Sequence, residues 1–223
     1  MRADTISAVT AKIKVNEIFL GIQGESTRAG LPCTIVRLTG CNLRCAWCDT
    51  RCAWEEGDEM SLDAILTLVA ELGCPRVEVT GGEPLLQAAA PELMRRLCDA
   101  GYETLLETNG SLDISQVDRR VARIVDFKCP SSGQAHANLW ENASCLTGRD
   151  EVKFVIGDRG DYEFARQAVS QRKLTDKCPV IFSPVHGGLA PAELAEWMLA
   201  DRLDVRLGLQ LHKIIWPGRD HGV

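Results

Sequence analysis

The stretch Cys41-Asn42-Leu43-Arg44-Cys45-Ala46-Trp47-Cys48-Asp49-Thr50 carries three thiols together with an indole ring and a carboxylate. A structural zinc site normally takes four protein ligands, usually as two pairs, and no second pair follows at ligand spacing. Three thiolates can instead hold three corners of a [4Fe–4S] cube, which leaves one iron open to a ligand that is not protein. The stretch therefore predicts a metal centre that performs chemistry on a bound molecule.

The remaining cysteines are interpreted differently. Cys52 follows Cys48 closely enough to supply a fourth ligand, but we expect it to be a bystander, because a fourth thiolate would block the open iron. The others are isolated in apolar or mixed surroundings, where a free cysteine behaves as a small buried hydrophobe. These are Cys33, Cys74, Cys98, Cys129, Cys145 and Cys178.

Composition predicts one cytoplasmic domain over residues 1–223, with residues 1–12 and 217–223 as flexible or peripheral ends. The net charge of −6 and the scattered Lys and Arg residues argue against a nucleic-acid surface. No apolar run approaches the ~18 residues of a membrane span, and the N-terminus lacks a secretory pattern. In a reducing compartment, ten cysteines indicate metal or redox chemistry before disulfides.

Predicted strands and helices alternate along the chain, with polar, glycine-rich connections after the strands. This order predicts a parallel α/β sheet with right-handed crossovers. About six parallel strands are too few for a closed barrel, so we predict an open, partial parallel β/α barrel. The predicted strands are 12–22, 33–39, 76–80, 103–107, 123–128, 151–156, 180–182 and 205–211. The predicted helices are 62–73, 91–100, 137–146, 161–173 and 191–200, and 55–59 is predicted as an acidic loop.

Unusual polar segments follow the carboxyl ends of five predicted strands. That edge of an α/β sheet or barrel is where ligands bind, so the segments predict one site across the barrel mouth. They are Gly81-Gly82-Glu83-Pro84, Glu107-Thr108-Asn109-Gly110, Lys128 to Gly133, Ser183-Pro184-Val185-His186 and Gln210-Leu211-His212-Lys213.

The cysteine spacing and the Gly81-Gly82-Glu83-Pro84 segment together resemble the radical S-adenosylmethionine (SAM) enzymes. Within that superfamily the chain resembles the 7-carboxy-7-deazaguanine synthase family from about residue 15 to about residue 216. The residues that carry this likeness are Glu17-Ile18-Phe19, Gln23-Gly24-Glu25, Arg37, Cys48-Asp49-Thr50, Glu107 to Gly110 and Leu209 to Lys213.

The resemblance implies a carbon–nitrogen lyase of queuosine and 7-deazapurine biosynthesis, a pathway of tRNA modification. Its cofactors are a [4Fe–4S] cluster, SAM and Mg²⁺. A cofactor radical takes hydrogen from C6 of 6-carboxy-5,6,7,8-tetrahydropterin, the ring contracts, ammonia leaves and the hydrogen returns. The resemblance also implies a homodimer and an electron donor such as flavodoxin.

The resemblance implies roles for individual residues, with no catalytic side chain beyond the cluster and the cofactor radical. The cluster ligands are Cys41, Cys45 and Cys48, and Thr50 binds Mg²⁺. The residues that bind SAM are Trp47, Gly81, Gly82, Glu83, Glu107, Lys128, Ser131 and Ser183. The residues that bind substrate are Gln23, Gly24, Glu25, Arg37, Thr80 and His212.

Some of these roles have specific chemistry. Glu107 holds the ribose hydroxyls, Arg37 and His212 hold the substrate carboxylate, and Gln23 with Glu25 holds the pterin edge. From the residues alone, Arg37 either snorkels or binds an anion. Glu107 is otherwise a solvated carboxylate, His212 a structural histidine, and Lys128, Ser131 and Ser183 surface residues. His136, His186 and His221 receive no role.

Two departures and two rival functions stay open. Ser26 stands where the family often has glycine, and the tail from Trp216 to Val223 has no clear counterpart. One rival is a glycyl-radical-enzyme activase, which shares the cysteine spacing but has no need of Gln23-Gly24-Glu25 or a His-Lys pair. The other is a non-enzymatic iron–sulfur electron carrier or zinc module, which needs no barrel of strand-end polar segments.

Overall fold

The computed structural model describes residues 11–219 and 221–223. One sheet of nine strands runs in the order β3-β1-β2-β4-β5-β6-β7-β8-β9. Strand β2 and strands β4 to β9 are parallel, whereas β1 and β3 pair antiparallel at one side. The strands are β1 (Lys12–Ile22), β2 (Pro32–Leu38), β3 (Asp58–Ser61), β4 (Arg76–Gly81), β5 (Glu103–Thr108), β6 (Ala122–Asp126), β7 (Glu151–Ile156), β8 (Val180–Pro184) and β9 (Arg206–Leu207).

The open, partial β/α barrel is confirmed, because β3 and β9 stand at opposite ends of the sheet and do not pair with each other. Helix α1 begins where the Ser61 hydroxyl accepts a hydrogen bond from the Ala64 amide (3.2 Å) and ends at Gly73 with φ +66°. The helices are α1 (Leu62–Leu72), α2 (Ala90–Asp99), α3 (Asn142–Cys145), α4 (Arg159–Arg172), α5 (Pro191–Ala200) and α6 (Leu211–Ile215).

The predicted helix over 137–146 is wrong in length, because only the single turn α3 forms there. Asn138 pairs with the Lys128 backbone in both directions, accepting at 2.8 Å and donating at 2.9 Å. Asn142 donates to the carbonyls of Gly110 (3.3 Å) and Leu112 (2.8 Å). These side-chain bonds to distant backbone compete with a continuous helix.

The predicted final strand over 205–211 is also too long, since β9 covers only Arg206–Leu207. The Gly208 amide still donates to the Phe182 carbonyl (2.9 Å), but the Leu211 amide donates to the Gly24 carbonyl (3.1 Å). The chain therefore leaves the sheet and forms α6 beside the loop after β1, and His212 lies on that helix.

Strand β3 was not predicted, because its charges resemble a solvated loop. It pairs antiparallel with the start of β1, with Lys12 opposite Ser61, and Lys12 contacts Glu59 at 3.2 Å. Charged residues are common on an edge strand, where they discourage further strand pairing. The segment after the cysteine stretch thus returns to extend the sheet.

The loop between β1 and β2 enters the barrel. Gln23 and Ser26 are buried, and Arg28 forms ion pairs with Glu103 (2.6 Å) and Glu151 (2.7 Å). Glu103 and Glu151 are the first residues of β5 and β7, so Arg28 lies at the amino ends of these strands. In the part of the chain described, no helix has the length and apolar character to cross a bilayer.

Candidate active site

A cavity of about 620 Å³ lies among the carboxyl-terminal parts of the central strands, and ligand sites typically have volumes of this order. Fifteen of the predicted site residues line it, which brings the cysteine stretch and the substrate segment to one place. They are Gln23, Gly24, Glu25, Arg37, Cys41, Cys45, Trp47, Cys48, Thr50, Thr80, Gly81, Gly82, Glu107, Lys128 and His212. Glu83, Ser131 and Ser183 are predicted site residues that do not line it.

The three predicted cluster ligands lie in the loop after β2, which is fixed at both ends. The Gly40 amide donates to the Ala53 carbonyl (2.8 Å), and the Ala46 amide donates to the Ser132 carbonyl (3.0 Å). The Cys41 sulfur accepts from the Leu43 amide (3.4 Å). Hydrogen bonds to sulfur are one means by which proteins tune iron–sulfur clusters, so this loop suits such a group.

Burial shapes the chemistry of these thiols. It raises the pKa of Cys41 and of Cys45 above the ordinary thiol value. A buried thiol stays protonated unless a metal takes the place of the proton. Cys52 is half-buried and does not line the cavity, which agrees with a bystander role.

No three His, Cys, Asp or Glu side chains among residues 11–219 and 221–223 converge on a single metal ion. A structural zinc ion needs four such ligands around one point. A [4Fe–4S] cube, in contrast, places each thiolate on a different iron, so its cysteines surround a larger volume. The three thiols all line the cavity, which is compatible with the cube.

The Gly81-Gly82 segment packs against the backbone of the cysteine loop. Gly81 has φ +142°, in the region that favours glycine. A Cβ on Gly82 would lie 2.3 Å from the Gly40 carbonyl oxygen and 2.6 Å from the Cys41 Cβ. The Glu83 amide donates to the same Gly40 carbonyl (2.7 Å). Only glycine permits this approach, and both glycines stay exposed to the cavity.

The Glu83 carboxylate accepts several hydrogen bonds within the protein, and its contact with the cofactor stays a prediction. It is fully buried and accepts hydrogen bonds from the Leu85 amide (2.9 Å), the Thr108 hydroxyl (2.8 Å) and the Asn109 amide (2.7 Å). Burial raises its pKa, and these three donors partly offset that effect. The side chain ties the end of β4 to the end of β5.

We expect Glu83→Ala to lower the free energy of unfolding by about 3 kcal/mol or more, because three buried donors lose their acceptor. Urea denaturation of the cluster-free protein measures the change. Glu71→Ala, at an exposed position of α1, is the control and should change stability little. If Glu83→Ala kept normal stability but lost SAM affinity, the result would instead support the predicted contact of Glu83 with the cofactor.

Ser131 is hydrogen-bonded to Trp47, which lines the cavity. The Trp47 indole nitrogen donates to the Ser131 hydroxyl (3.2 Å), which in turn donates to Asp161. Ser183 lies at the end of β8 with 2% of its surface exposed. Within the described ranges its hydroxyl has no hydrogen-bond partner.

Asp126 and Lys128 form an ion pair (2.9 Å) in the cavity wall. The second Asp126 carboxylate oxygen is buried and lacks a hydrogen-bond partner among the residues that the structure describes. An unpaired buried acceptor is costly unless a bound group supplies the donor. After burial, the charges of Lys128 and Asp126 are the largest influences on the pKa of Cys45. This part of the cavity wall can therefore bind a ligand that offers a hydrogen-bond donor beside the cysteine loop.

The Gln23 side-chain amide lines the cavity and is oriented by hydrogen bonds within the protein. Its nitrogen donates to Glu78 (3.0 Å), and its oxygen accepts from the amides of Glu25 (2.8 Å) and Ser26 (2.9 Å). The Ser26 hydroxyl accepts from the Arg28 amide (3.0 Å), so serine is accommodated at this position. Gln23 shapes the loop and leaves Glu25 to face the cavity.

Gly24 gives room to His212. A Cβ on Gly24 would lie 2.3 Å from the His212 Nδ1 atom, so a larger residue would displace the imidazole. Burial lowers the pKa of His212, although the charges of Glu25 and Asp49 oppose the shift. The neutral ring can donate one hydrogen bond and accept another.

Arg37 and Thr50 both line the cavity, and each donates a hydrogen bond to a carboxylate. The Arg37 guanidinium donates to Glu17 (2.8 Å), which leaves further N–H donors for a ligand. The Thr50 hydroxyl donates to Asp49 (3.0 Å). Burial alone would raise the pKa of Asp49, but Lys213 and Gln210 hold it well below its usual range.

The sequence reasoning missed several charged cavity residues. Glu78 and Lys153 are buried in the middle of β4 and β7, and both line the cavity. A charge inside a buried strand is costly unless it is paired, so a charged residue in each predicted strand was a usable signal. Asp49 and Asp126 also line the cavity without a predicted role, whereas Gln210 and Lys213 were predicted only as part of a segment at the barrel mouth.

Comparison with known proteins places the chain in a family. Residues 35–197 match the model of the radical SAM superfamily. The 7-carboxy-7-deazaguanine synthase of Koribacter versatilis is 46% identical over 226 residues, which cover 95% of this chain and 100% of that protein. That of Chlorobaculum tepidum is 46% identical over 216 residues, with 96% and 98% covered. The chain belongs to the 7-carboxy-7-deazaguanine synthase family of radical SAM enzymes.

Solved structures share the fold. The crystal structure of QueE from Escherichia coli matches with a TM-score of 0.74 at 22% identity, covering 89% of this chain and 94% of that one. Streptococcus suis SuiB bound to SAM matches with a TM-score of 0.54 at 12% identity, covering 76% of this chain and 44% of that one. Both likenesses concern the fold alone. The predicted family is confirmed, and a radical SAM enzyme uses a [4Fe–4S] cluster and SAM.

Proposed function

We propose that the protein catalyses ring contraction of 6-carboxy-5,6,7,8-tetrahydropterin to 7-carboxy-7-deazaguanine with loss of ammonia, as a lyase of 7-deazapurine biosynthesis. The observation that carries the proposal is the 46% identity to 7-carboxy-7-deazaguanine synthases over nearly the whole chain. The meeting of the cysteine loop, the glycine segment and the Glu25 loop in one cavity supports it. A glycyl-radical activase or an electron carrier has no comparable support.

In this proposal the cofactors supply the radical chemistry, and the protein binds and orients them. The reduced cluster and SAM would supply, when bound, a radical able to remove hydrogen from carbon. Cys41, Cys45 and Cys48 line the cavity and would hold the cluster, and the backbone of Gly81 and Gly82 would form the adjacent surface for SAM. Asp126, whose buried second carboxylate oxygen has no partner among the described residues, and Lys128 face the same region. These groups would bind and orient the cofactors.

Substrate recognition rests on charge complementarity. The substrate carries a carboxylate at one end and a donor-rich pyrimidine ring at the other. Arg37 supplies N–H donors and His212 a neutral or protonated imidazole for the carboxylate. Glu25 supplies acceptors for the ring N–H groups. Thr80 donates to Glu107 (3.2 Å) and so fixes its orientation in the same cavity.

We propose that Thr50 binds Mg²⁺ together with substrate oxygens and waters. A hydroxyl ligand suits a hard cation that keeps much of its hydration, and Thr50 lines the cavity. We expect Thr50→Ala to lose turnover and Mg²⁺ dependence together while the cluster remains. Steady-state rates measured over a range of Mg²⁺ concentrations test this. Thr67→Ala, whose hydroxyl bonds only the Asp63 carbonyl on α1, is the control. Unchanged Mg²⁺ dependence in Thr50→Ala would remove Thr50 from the metal.

The electron donor, the assembly and the location are further parts of the proposal. Flavodoxin is the donor we propose, with the protein as a homodimer in the cytoplasm. An open sheet needs its edges covered. Leu207 on the edge strand β9 and Ile214 and Ile215 on α6 are exposed apolar residues near one such edge, which supports self-association there. Analytical ultracentrifugation of the reconstituted enzyme measures the assembly.

The function is tested by anaerobic incubation of reconstituted enzyme with reductant, SAM, Mg²⁺ and the carboxytetrahydropterin. We expect mass spectrometry to detect 7-carboxy-7-deazaguanine. Cleaved SAM without the deazapurine would retain radical chemistry and discard this substrate. Zinc in place of iron after anaerobic reconstitution would contradict the whole assignment.

A further inference from the structure

Lys153 is a buried cation on β7 with 4% of its surface exposed, and it lines the active-site cavity. Its ammonium contacts carboxylates from three different elements. Glu25 lies 2.5 Å away on the loop after β1, Glu107 contacts it from β5, and Asp126 lies 3.6 Å away on β6. An ammonium has three N–H donors, so one lysine can bind all three groups.

The two close carboxylates are each fixed by a second donor. Gln210 donates to the other oxygen of Glu25 (2.6 Å), and Thr80 donates to the other oxygen of Glu107 (3.2 Å). Because a carboxylate offers about four lone-pair sites, each keeps free acceptor capacity after these bonds. Two oriented carboxylates with spare acceptors thus share one ammonium at the same side of the cavity.

This shared partner places Glu107 beside Glu25. The resemblance implied that Glu25 binds the substrate ring and that Glu107 binds the cofactor ribose. One ammonium contacts both carboxylates, so the two groups face adjacent positions in the cavity. The geometry therefore joins Glu25 and Glu107 in one subsite for a flat ligand edge with adjacent N–H donors.

We propose that Lys153 is a positioning residue that holds Glu25 and Glu107 aligned, so that both carboxylates accept hydrogen bonds from one donor-rich edge of the substrate ring. The inference rests on the proposed function and names the protein group that orders its substrate site. Without Lys153 the two carboxylates would repel each other and turn away. The substrate would then lose both acceptors together.

Lys153 also governs the charge of Glu107. Burial raises the pKa of Glu107, but the charge and hydrogen bond of Lys153 outweigh that effect and lower it. Removing Lys153 leaves burial dominant, so Glu107 should protonate at higher pH. The other charged groups facing this pair are Glu25, Glu78, Asp126, Lys128 and His212.

The test uses the reconstituted Lys153→Met enzyme. We expect KM for the carboxytetrahydropterin to rise on the order of thirtyfold or more, as for loss of one partner of a buried charge pair. The acid limb of the kcat/KM profile should move to higher pH, and SAM affinity should stay unchanged. Lys153→Gln, which keeps an N–H donor without the charge, should move the acid limb in the same direction and serves if Lys153→Met does not fold.

Two comparisons separate positioning from general damage. Arg123→Met removes another buried ion pair of the sheet, to Asp150 (2.6 Å), outside the cavity. It should lower stability but leave KM and the pH profile of the folded enzyme unchanged. In a double-mutant cycle, Glu25→Gln should raise KM less in the Lys153→Met background than in the wild type, because the two act as a unit.

The outcomes distinguish the inference from the proposed function. Wild-type enzyme that forms no deazapurine would remove the function. Wild-type turnover with unchanged KM and acid limb in both Lys153 variants would overturn the inference alone. Equal KM increases in Lys153→Met and Arg123→Met would also overturn it, since the effect would then be general destabilisation.

Discussion

Replacing Cys45 with alanine is expected to abolish cluster binding and turnover while the barrel stays folded. The Cys45 thiol lines the cavity and is a predicted cluster ligand, and a cube held by only two thiolates loses a corner. Turnover should fall by more than about a hundredfold, the upper range for losing even an outer-shell partner of a metal site. Iron analysis, the visible spectrum and product formation after anaerobic reconstitution measure the effect.

Cys52→Ala is the matched control for this prediction. It removes a thiol from the same stretch of chain, four positions after Cys48, that does not line the cavity. The control should keep about four irons per chain and full turnover. Loss of the cluster in Cys52→Ala, with retention in Cys45→Ala, would show that the cluster ligands are assigned wrongly.

Gly82→Ala is the second substitution with a large expected effect. The new Cβ would lie 2.3 Å from the Gly40 carbonyl oxygen, and backbone cannot rotate away as a side chain can. Either the glycine segment or the start of the cysteine loop must move. Overpacking of this kind costs about 1–3 kcal/mol, so SAM affinity should fall about tenfold to a hundredfold. Isothermal titration calorimetry of the reconstituted enzyme measures that affinity.

Gly148→Ala controls for the general cost of replacing a glycine. Its φ lies outside the left-handed region, and the nearest atom to a new Cβ is 4.0 Å away. SAM affinity should be unchanged in this variant. A Gly82→Ala enzyme that binds SAM as tightly as the wild type would show that the close backbone approach does not matter for the cofactor.

Local sequence patterns were enough to predict most of the fold. Seven strands and four helices appear close to the predicted positions because hydrophobic periodicity and glycine-rich ends are local signals. The errors fall where distant partners decide the structure. Asn138 bonds the Lys128 backbone and interrupts a predicted helix. The Gly24 carbonyl captures the Leu211 amide and ends a predicted strand early.

The candidate site shows the same difference between what local patterns predict and what distant partners decide. The resemblance named site residues of which most line one cavity, but it did not identify the hydrogen-bond partners of each side chain. Glu83 looked like a ligand group and is occupied by three buried donors. Lys153 looked like one charge in an apolar strand and holds carboxylates from three elements. Such pairings join residues that are far apart in the chain, and a local pattern carries no information about them.

The most direct test of the central claim is anaerobic turnover with SAM supplied below the amount of substrate. We predict more than one molecule of 7-carboxy-7-deazaguanine per molecule of SAM, because the abstracted hydrogen returns and the cofactor is regenerated. Mass spectrometry of both product and remaining SAM measures this ratio. SAM consumed with no deazapurine formed would contradict the assignment of this cavity to pterin ring contraction.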